Sequence, residues 1–368
     1  MDKVKATVIT PYWPSALWYP TIREMSIGKP LPVPRIMVRP APGNTSGASP
    51  AVVKILYEST RVQKTAKGNS SAQLAFERWT HFVGVDPLEA TAVHVMNYLA
   101  YGLETKGWSR ATVRTYKSAI LQLFSNEERE VITTNHDFQQ FIKLAGTESF
   151  KRLRNYDIDM APLLKHLHNL GSNNTMSITD LTAKTCFLLS VCGLLRADDI
   201  ECVDVTQSTV KDNTLTLTVL FPKELRGGQN IIKPVVIKSH PKEECCPVRA
   251  YMEYRRRTET FDEQACKDHP KIASERYTPL IRFIKEPTRS LQHERISHYI
   301  HDIMRWIPKV EGQPKYKARA VGATMALKHG VPVEDVTTHG NWSSSAIVEQ
   351  FYRLSRTFKN DFTSAILS

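Results

Sequence analysis

No apolar run in the 368 residues approaches the ~20 needed to cross a bilayer, which argues against a membrane-spanning helix. The opening Met1-Asp2-Lys3-Val4-Lys5-Ala6-Thr7-Val8-Ile9-Thr10 lacks the apolar core, about 7–15 residues long, of a secretory leader, so the chain is expected to stay inside the cell. Cysteine is sparse: Cys186, Cys192, Cys202, Cys245, Cys246 and Cys266 form no C-x-x-C pair and have no accompanying His spacing. That pattern argues against zinc and against a disulfide framework, and predicts reduced thiols. There is no internal repeat. Acidic residues are in deficit, 37 Asp+Glu against 49 Lys+Arg, for a net charge of +12. A basic surplus fits a polyanionic partner, of which nucleic acid is the commonest. The hydrophobic fraction of 41% and charged fraction of 23% are ordinary for a packed chain and exclude wholesale disorder.

At roughly 150 residues per domain the length predicts about two domains. Residues 1–50 read as an arm or linker, because Pro30, Pro32, Pro34, Pro40, Pro42 and Pro50 recur too often for helix or central strand. Its Tyr12-Trp13-Pro14 and Trp18-Tyr19-Pro20 fit docking on a partner as well as packing on the chain itself. From 51 to 145 the pattern is helical. Ser70-x-x-Gln73 reads as a capping box opening a helix with Ala75, Trp79 and Phe82 on its apolar stripe. A second helix carries Ala92, Val95, Met96, Leu99 and Leu103 and stops near Gly107. The third starts at Ser109, buries Val113, Tyr116, Ile120 and Leu123, and sets Arg110, Arg114 and Lys117 on one face at i, i+4 and i+7. That face suits a phosphate backbone and equally a solvated surface.

The stretch 146–155, with Lys151, Arg152 and Arg154, reads as a basic linker able to follow DNA between two domains, and 156–368 as the second domain. Within it a mostly buried helix around Leu181–Val191 leads into Gly193–Ile200. Residues 214–221 alternate as a half-buried strand, Gly227-Gly228 turns the chain, and Pro234 marks an edge strand. Arg255-Arg256-Arg257 reads as a solvated or phosphate-facing helix surface.

Three separated segments resemble the active-site boxes of the tyrosine recombinase (phage integrase) superfamily, over roughly residues 65–355. Gly193-Leu194-Leu195-Arg196-Ala197-Asp198-Asp199 is similar to G-L-R-x-x-E/D, which places the first catalytic arginine at Arg196 and its acidic support at Asp199. Tyr316-Lys317-Ala318-Arg319, followed by a helix and Gly330-Val331, is similar to H-x-x-R with R-x-x-x-A-T-x-x-x-x-x-G-V, which places the second arginine at Arg319 and a tyrosine, Tyr316, where histidine is usual. Gly340-Asn341-Trp342 through Phe351-Tyr352 resembles the H/W box and the nucleophile, at Trp342 and Tyr352. Tyr352 lies ten residues after Trp342, whereas many members place the nucleophile nine after, at the position of Phe351 here. The finer likeness is to recombinases of DIRS-type retrotransposons, which resemble this chain in the longer spacing, in Cys246-Pro247-Val248 before a helix, and in the opening stretch from Thr10 to Pro20.

The chemistry explains these residue types. A phosphodiester under attack gathers negative charge that fork-shaped, permanently charged guanidiniums match. A phenol serves as nucleophile, a lysine near a strand turn protonates the departing 5′ oxygen, and an indole N–H can reach a phosphate oxygen. Lys223 is the expected lysine, with Lys233 and Lys238 as rivals on the same hairpin. No metal, nucleotide or other cofactor is called for, because the covalent link conserves the bond energy. Tyr316 is a poor proton carrier at neutral pH, with an ordinary pKa of about 10, so slower chemistry, or an approach of His339, is expected at that corner.

The resemblance implies a mainly α fold with a small antiparallel β-sheet: a helical core-binding (SAM-like) domain and a mixed α/β catalytic domain. It also implies double-stranded DNA as partner, a dimer on one site and a tetramer in synapsis, Holliday-junction exchange, and integration of element DNA in the nucleus. The 16 residues after Tyr352 would dock on a neighbour. A non-catalytic DNA-binding descendant and a monomeric type IB topoisomerase are the alternatives.

Overall fold

The computed structural model describes residues 60–147, 155–220, 225–226, 229–230, 232–268, 275–311, 313 and 315–356. The arm at 1–50, Lys151, Arg152, Arg154, Lys223, Gly227-Gly228 and the end of the chain lie outside the described residues. The chain divides into two compact units between Phe150 and Lys151. It is mainly helical with a small antiparallel sheet. Among the described residues no helix is long and apolar enough to cross a membrane, and all six cysteines are thiols.

The first unit holds five helices among its described residues: α1 (Thr60–Phe82), α2 (Ala92–Glu104), α3 (Arg110–Ile120), α4 (Asn126–Thr134) and α5 (His136–Thr147). Local chemistry sets most of the starts. Ser109 Oγ accepts the Thr112 N–H at the head of α3, and Ser125 and Glu128 form a reciprocal capping box at the head of α4. Gly107, at φ +63°, lets the chain leave α2.

Two expectations fail here. Ser70 lies inside α1 rather than at its start, because the residues from Thr60 onward carry the helix through it. Asn69 and Gln73 instead reach across to Gln122 and to the Ala119 carbonyl, each at 2.9 Å, tying α1 to the end of α3. Phe82, the last residue of α1, is 87% exposed and is no part of the core stripe.

The core of this unit is aromatic. Tyr98 sits edge-on to Phe76 (5.2 Å between centroids) and to Trp108 (5.4 Å), with Trp79 tilted beside it. Trp108 lies over Gly102 so closely that a Cβ there would fall 1.9 Å from its ring. Since Trp108 also packs against Tyr116, it has no room to move. Gly102→Ala is therefore expected to destabilise the first unit by about 1–3 kcal/mol, the usual cost of overpacking, read by chemical denaturation.

The second unit is built around α7 (Ile178–Cys192), preceded by α6 (Ala161–Asn169). Ser177 caps α7 through the Asp180 N–H, and residues Leu181–Ser190 are buried, as expected of a central helix. After the short α8 (Ala197–Glu201), β1 (Val203–Lys211), β2 (Thr214–Val219) and β5 (Lys233–Lys238) form an antiparallel sheet in the order β1-β2-β5. Asp212 and Asn213, at φ +49° and +59°, make the tight β1–β2 turn. On β2, Leu215, Leu217 and Val219 point into the core, and Pro234 sits on β5, an edge strand, as its missing N–H requires. The pair β3 (Leu225–Arg226) and β4 (Gln229–Asn230) flanks Gly227-Gly228.

Helices α9 (Pro247–Thr258) and α10 (Asp262–Ala265) follow, then the two-stranded pairs β6 (Lys267–Asp268) with β7 (Arg276–Tyr277) and β8 (Arg282–Phe283) with β9 (Glu286–Ser290). Next come α11 (His293–Met304), α12 (Ala318–Lys328), α13 (Val333–His339) and the short α14 (Ser345–Ile347), which runs into a π-helical turn, Val348–Tyr352. Of the triple arginine of α9, Arg256 is solvated, as expected, whereas Arg255 and Arg257 are drawn in by partners. Arg255 grips Asp262 with two hydrogen bonds, Arg256 and Arg257 pair with Glu253, and Arg257 also ties down the carbonyls of Asn173, Asn174 and Met176.

Candidate active site

Four side chains spread over the second unit converge. Arg196 and Tyr352, 156 positions apart, meet where an Arg196 Nη2 donates to the Tyr352 hydroxyl at 3.4 Å. The Arg319 guanidinium lies over the Trp342 ring at 4.4 Å and over the Tyr352 ring at 5.2 Å. The two rings stand 4.4 Å apart, centroid to centroid.

Each residue is placed by a local feature of the chain. After α7 ends at Gly193, Leu194 turns the chain at φ +50°, a left-handed conformation that a branched residue adopts only under constraint. Leu194 is held there by burial against Ala323, Val336, Trp342 and Val348. Arg196 then caps α8, where the buried Asp199 accepts its backbone N–H at 2.8 Å and lies 3.9 Å from its guanidinium. One carboxylate thus holds the backbone of Arg196 and stands near its guanidinium.

Arg319 projects from the first turn of α12, is buried, and donates to the Gly340 carbonyl. Gly340 closes α13, and Asn341, at φ +55°, folds Trp342 back so that its backbone N–H reaches the Thr337 carbonyl at 3.0 Å. A Cβ on Gly340 would lie 2.0 Å from the Trp342 ring. Gly340→Ala is accordingly expected to displace Trp342 from Arg319, lowering both the melting temperature and any activity of the site.

Tyr352 ends the π turn, whose closing bond runs from the Arg353 N–H to the Val348 carbonyl at 2.9 Å. The neighbouring Phe351 is 53% exposed and points away. Burial alone would push the Tyr352 phenol up. The Trp342 indole N–H against it and the charges of Arg319 and Arg196 outweigh burial, so its pKa lies below the ordinary phenol value. A half-buried phenol with a lowered pKa, facing two guanidiniums, has the chemistry to serve as a nucleophile toward an anionic centre. Arg196 keeps 28% of its side chain exposed, so the pair opens to solvent on that side.

Tyr316 is buried, packs 5.8 Å from Tyr156, and commits its hydroxyl to Gln313 at 2.6 Å. Burial, then Tyr156 and Asp157, raise its pKa, so it keeps its proton at neutral pH. His339 lines the small cavity beside Arg319 and Asp199, and its Nε2 donates to the Cys192 carbonyl at 2.8 Å. Lys223 lies outside the described residues.

On α3 of the first unit, Arg114 is exposed, while Arg110 and Lys117 are half-buried. Arg110 occupies the first helical position, where a cation opposes the helix dipole.

The sequence reading passed over Thr324 and the Glu349–Arg353–Arg356 cluster. Thr324 hydrogen-bonds the backbone of Tyr352 and Leu354, and Glu349 takes Arg353 and Arg356 at 2.6 and 2.7 Å. The Ala-Thr pair of the R-x-x-x-A-T pattern was the available signal for the first. The spacing of Glu349 four before Arg353 was the signal for the second.

No family model matches the chain, and no curated protein matches it. Among solved structures, the XerA recombinase is 14% identical, covering 86% of this chain and 94% of its own, with a TM-score of 0.35. A lambda integrase (75–356) dimer bound to a COC′ core site is 18% identical, covering 84% and 95%, with a TM-score of 0.49. The Tn1549 transposon integrase in complex with transposon right end DNA is 12% identical, covering 76% and 84%, with a TM-score of 0.46. At these identities and TM-scores the neighbours do not say what this chain does, and its chemistry rests on its own residues.

Proposed function

We propose that the chain is a tyrosine recombinase that breaks and rejoins DNA strands through Tyr352. The observation that carries this reading is the meeting of the Tyr352 hydroxyl with Arg196, under a guanidinium supplied by Arg319. Arg196 and Arg319 hold the non-bridging oxygens of a backbone phosphate, and the Tyr352 oxygen attacks phosphorus as its proton leaves to solvent. The bond from phosphorus to the 5′ oxygen breaks, leaving a 3′-phosphotyrosyl link, and Lys223 protonates the departing oxygen. An incoming 5′ hydroxyl reverses the step and seals a new strand. Arg196, its Asp199, the buried Arg319 and Tyr352 all come from one unit of one chain, which supports cleavage within a protomer.

The finer reading is a site-specific recombinase that acts as a tetramer on paired sites through a Holliday junction and integrates the DNA of a DIRS-type element in the nucleus. In this reading Arg110, Arg114 and Lys117 face the duplex, and Lys151, Arg152 and Arg154 follow its backbone between the units. Replacing the three α3 residues together by alanine is expected to lower the slope of log binding constant against log salt by about 0.9 per lost phosphate contact, measured by fluorescence anisotropy on duplex DNA.

The test of the reaction is a pool of duplexes nicked beside a randomised scissile position. The protein is expected to trap a denaturant-resistant adduct that protease digestion maps to Tyr352. DNA binding with no adduct across the pool and across pH would overturn the enzyme in favour of a DNA-binding descendant. Plasmid relaxation without recombinant product would favour a topoisomerase.

A further inference from the structure

We propose that Thr324 is a positioning residue that sets Tyr352 against the arginines, an inference that rests on the strand-transfer reading above. Thr324 lies on α12, five residues beyond Arg319, and is 1% exposed. A threonine inside a helix ordinarily back-bonds to the carbonyl four residues earlier, and Thr324 Oγ1 does lie 2.7 Å from the Ala320 carbonyl. The same oxygen does more: it accepts the Leu354 N–H at 2.8 Å and lies 3.0 Å from the Tyr352 carbonyl, sharing its single proton between the two carbonyls.

The need for such a contact arises from the π turn. Its ladder closes at the Arg353 N–H, after which the Tyr352 carbonyl and the Leu354 N–H have passed the end of the helix. Buried backbone groups of this kind must find partners, and Leu354 is buried. Thr324 serves both from the helix that carries Arg319. One side chain therefore locks the backbone of the nucleophile in register with the second arginine. On the other side of the turn, Glu349 binds Arg353 and Arg356, and the Arg356 guanidinium also donates to the Glu349 carbonyl at 2.7 Å. The turn is thus gripped from both sides, and the grip through Thr324 reaches Tyr352 itself.

The experiment compares Thr324→Val, which keeps the shape and removes the hydroxyl, with Thr324→Ser, which keeps it, in the full chain. A misplacement on the order of 1 Å costs about 100-fold in an oriented reaction. The valine protein is therefore expected to form adduct on nicked DNA roughly 10- to 100-fold more slowly while binding the same DNA within about twofold. The serine protein is expected to recover most of the rate. The second readout needs no DNA: the Tyr352 phenol is titrated by ultraviolet difference against the same variant carrying Tyr352→Phe. Its midpoint is expected to shift upward in the valine protein, as the phenol withdraws from Arg196 and Arg319, and to return in the serine protein.

Thr324→Cys, close in volume and a weak hydrogen-bonder, should fall between the two, and it provides a folded comparison if the valine protein does not fold. An unchanged phenol midpoint and an unchanged adduct rate in the valine or cysteine protein would overturn the positioning role. A wild-type protein that forms no adduct overturns the strand-transfer reading instead, and the titration still decides whether Thr324 holds Tyr352 beside the arginines.

Discussion

The Tyr352→Phe protein is expected to bind DNA like the wild type and to form no covalent adduct, a loss of about 10^4-fold or more, as when an enzyme's nucleophile is removed. The geometry makes this an unusually clean substitution. The hydroxyl meets the Trp342 indole N–H and, at 3.4 Å, Arg196, whereas the ring keeps its place against Trp342 and beneath Arg319. Arg196 stays fixed by Asp199. Thermal melting should therefore move little, and a large drop in DNA affinity would point to a misfolded site rather than a missing nucleophile. The wild-type rate should rise with pH as the phenol deprotonates. Because the folded pKa is lowered, that rise should level off below the pH at which a free tyrosine ionises. An adduct that persists in the Tyr352→Phe protein would remove Tyr352 from the mechanism.

Arg319→Ala is expected to be the most damaging change to the clamp, in two separable ways. Loss of a preorganised donor to a developing anion costs about 10^2–10^3 in rate. In addition, the Gly340 carbonyl loses its donor and the Trp342 ring its cation, so stability should fall by about 1–3 kcal/mol, the cost of leaving a buried polar group unpaired. Arg196→Ala should lose rate with less stability, since Arg196 is part-exposed and at the edge of the site. Arg319 also holds the Tyr352 phenol low, so removing its charge should move the alkaline rise in rate upward, toward the ordinary phenol value. Lysine at 319 should restore neither, because a point charge cannot reproduce a planar fork stacked on an indole. Near-wild-type rates in either variant would contradict the clamp.

The residues that meet in the site were legible through the resemblance of three short segments to the tyrosine recombinase boxes, with Arg196 and an acid three later, Arg319 before an Ala-Thr pair, and Trp342 ten before Tyr352; taken singly, none of them would have stood out. What escaped was whatever depends on partners distant in sequence. Ser70-x-x-Gln73 has the composition of a helix start, yet whether a helix begins there is decided by the residues before it, and Gln73 spends its amide on Ala119. Arg256 of α9 is solvated, but Arg255 and Arg257 are drawn in by Asp262, Glu253 and three backbone carbonyls, which the sequence does not place beside them. Strand β1 was missed because only Val203, Asp204 and Val205 are buried and its outer half is polar, so no alternation marks it. Thr324 is an ordinary helix residue in sequence, and its use appears only when Leu354 and Tyr352 fold back onto it.

The π turn that ends in Tyr352 has a further consequence, for how this site tolerates insertion and deletion. A turn closed from residue i to i+5 holds one residue more than an α turn. The tenth residue after Trp342 therefore arrives where, in an ordinary helical turn, the ninth would stand, and Phe351 is turned outward. With this turn in place the Tyr352 ring stands 4.4 Å from the indole and its hydroxyl 3.4 Å from Arg196. Removing a single residue between Val348 and Phe351 should let the turn tighten to α geometry and keep the tyrosine facing Arg196, whereas adding one should swing it out. The spacing between the two aromatic residues thus has a slack of one residue in one direction and none in the other.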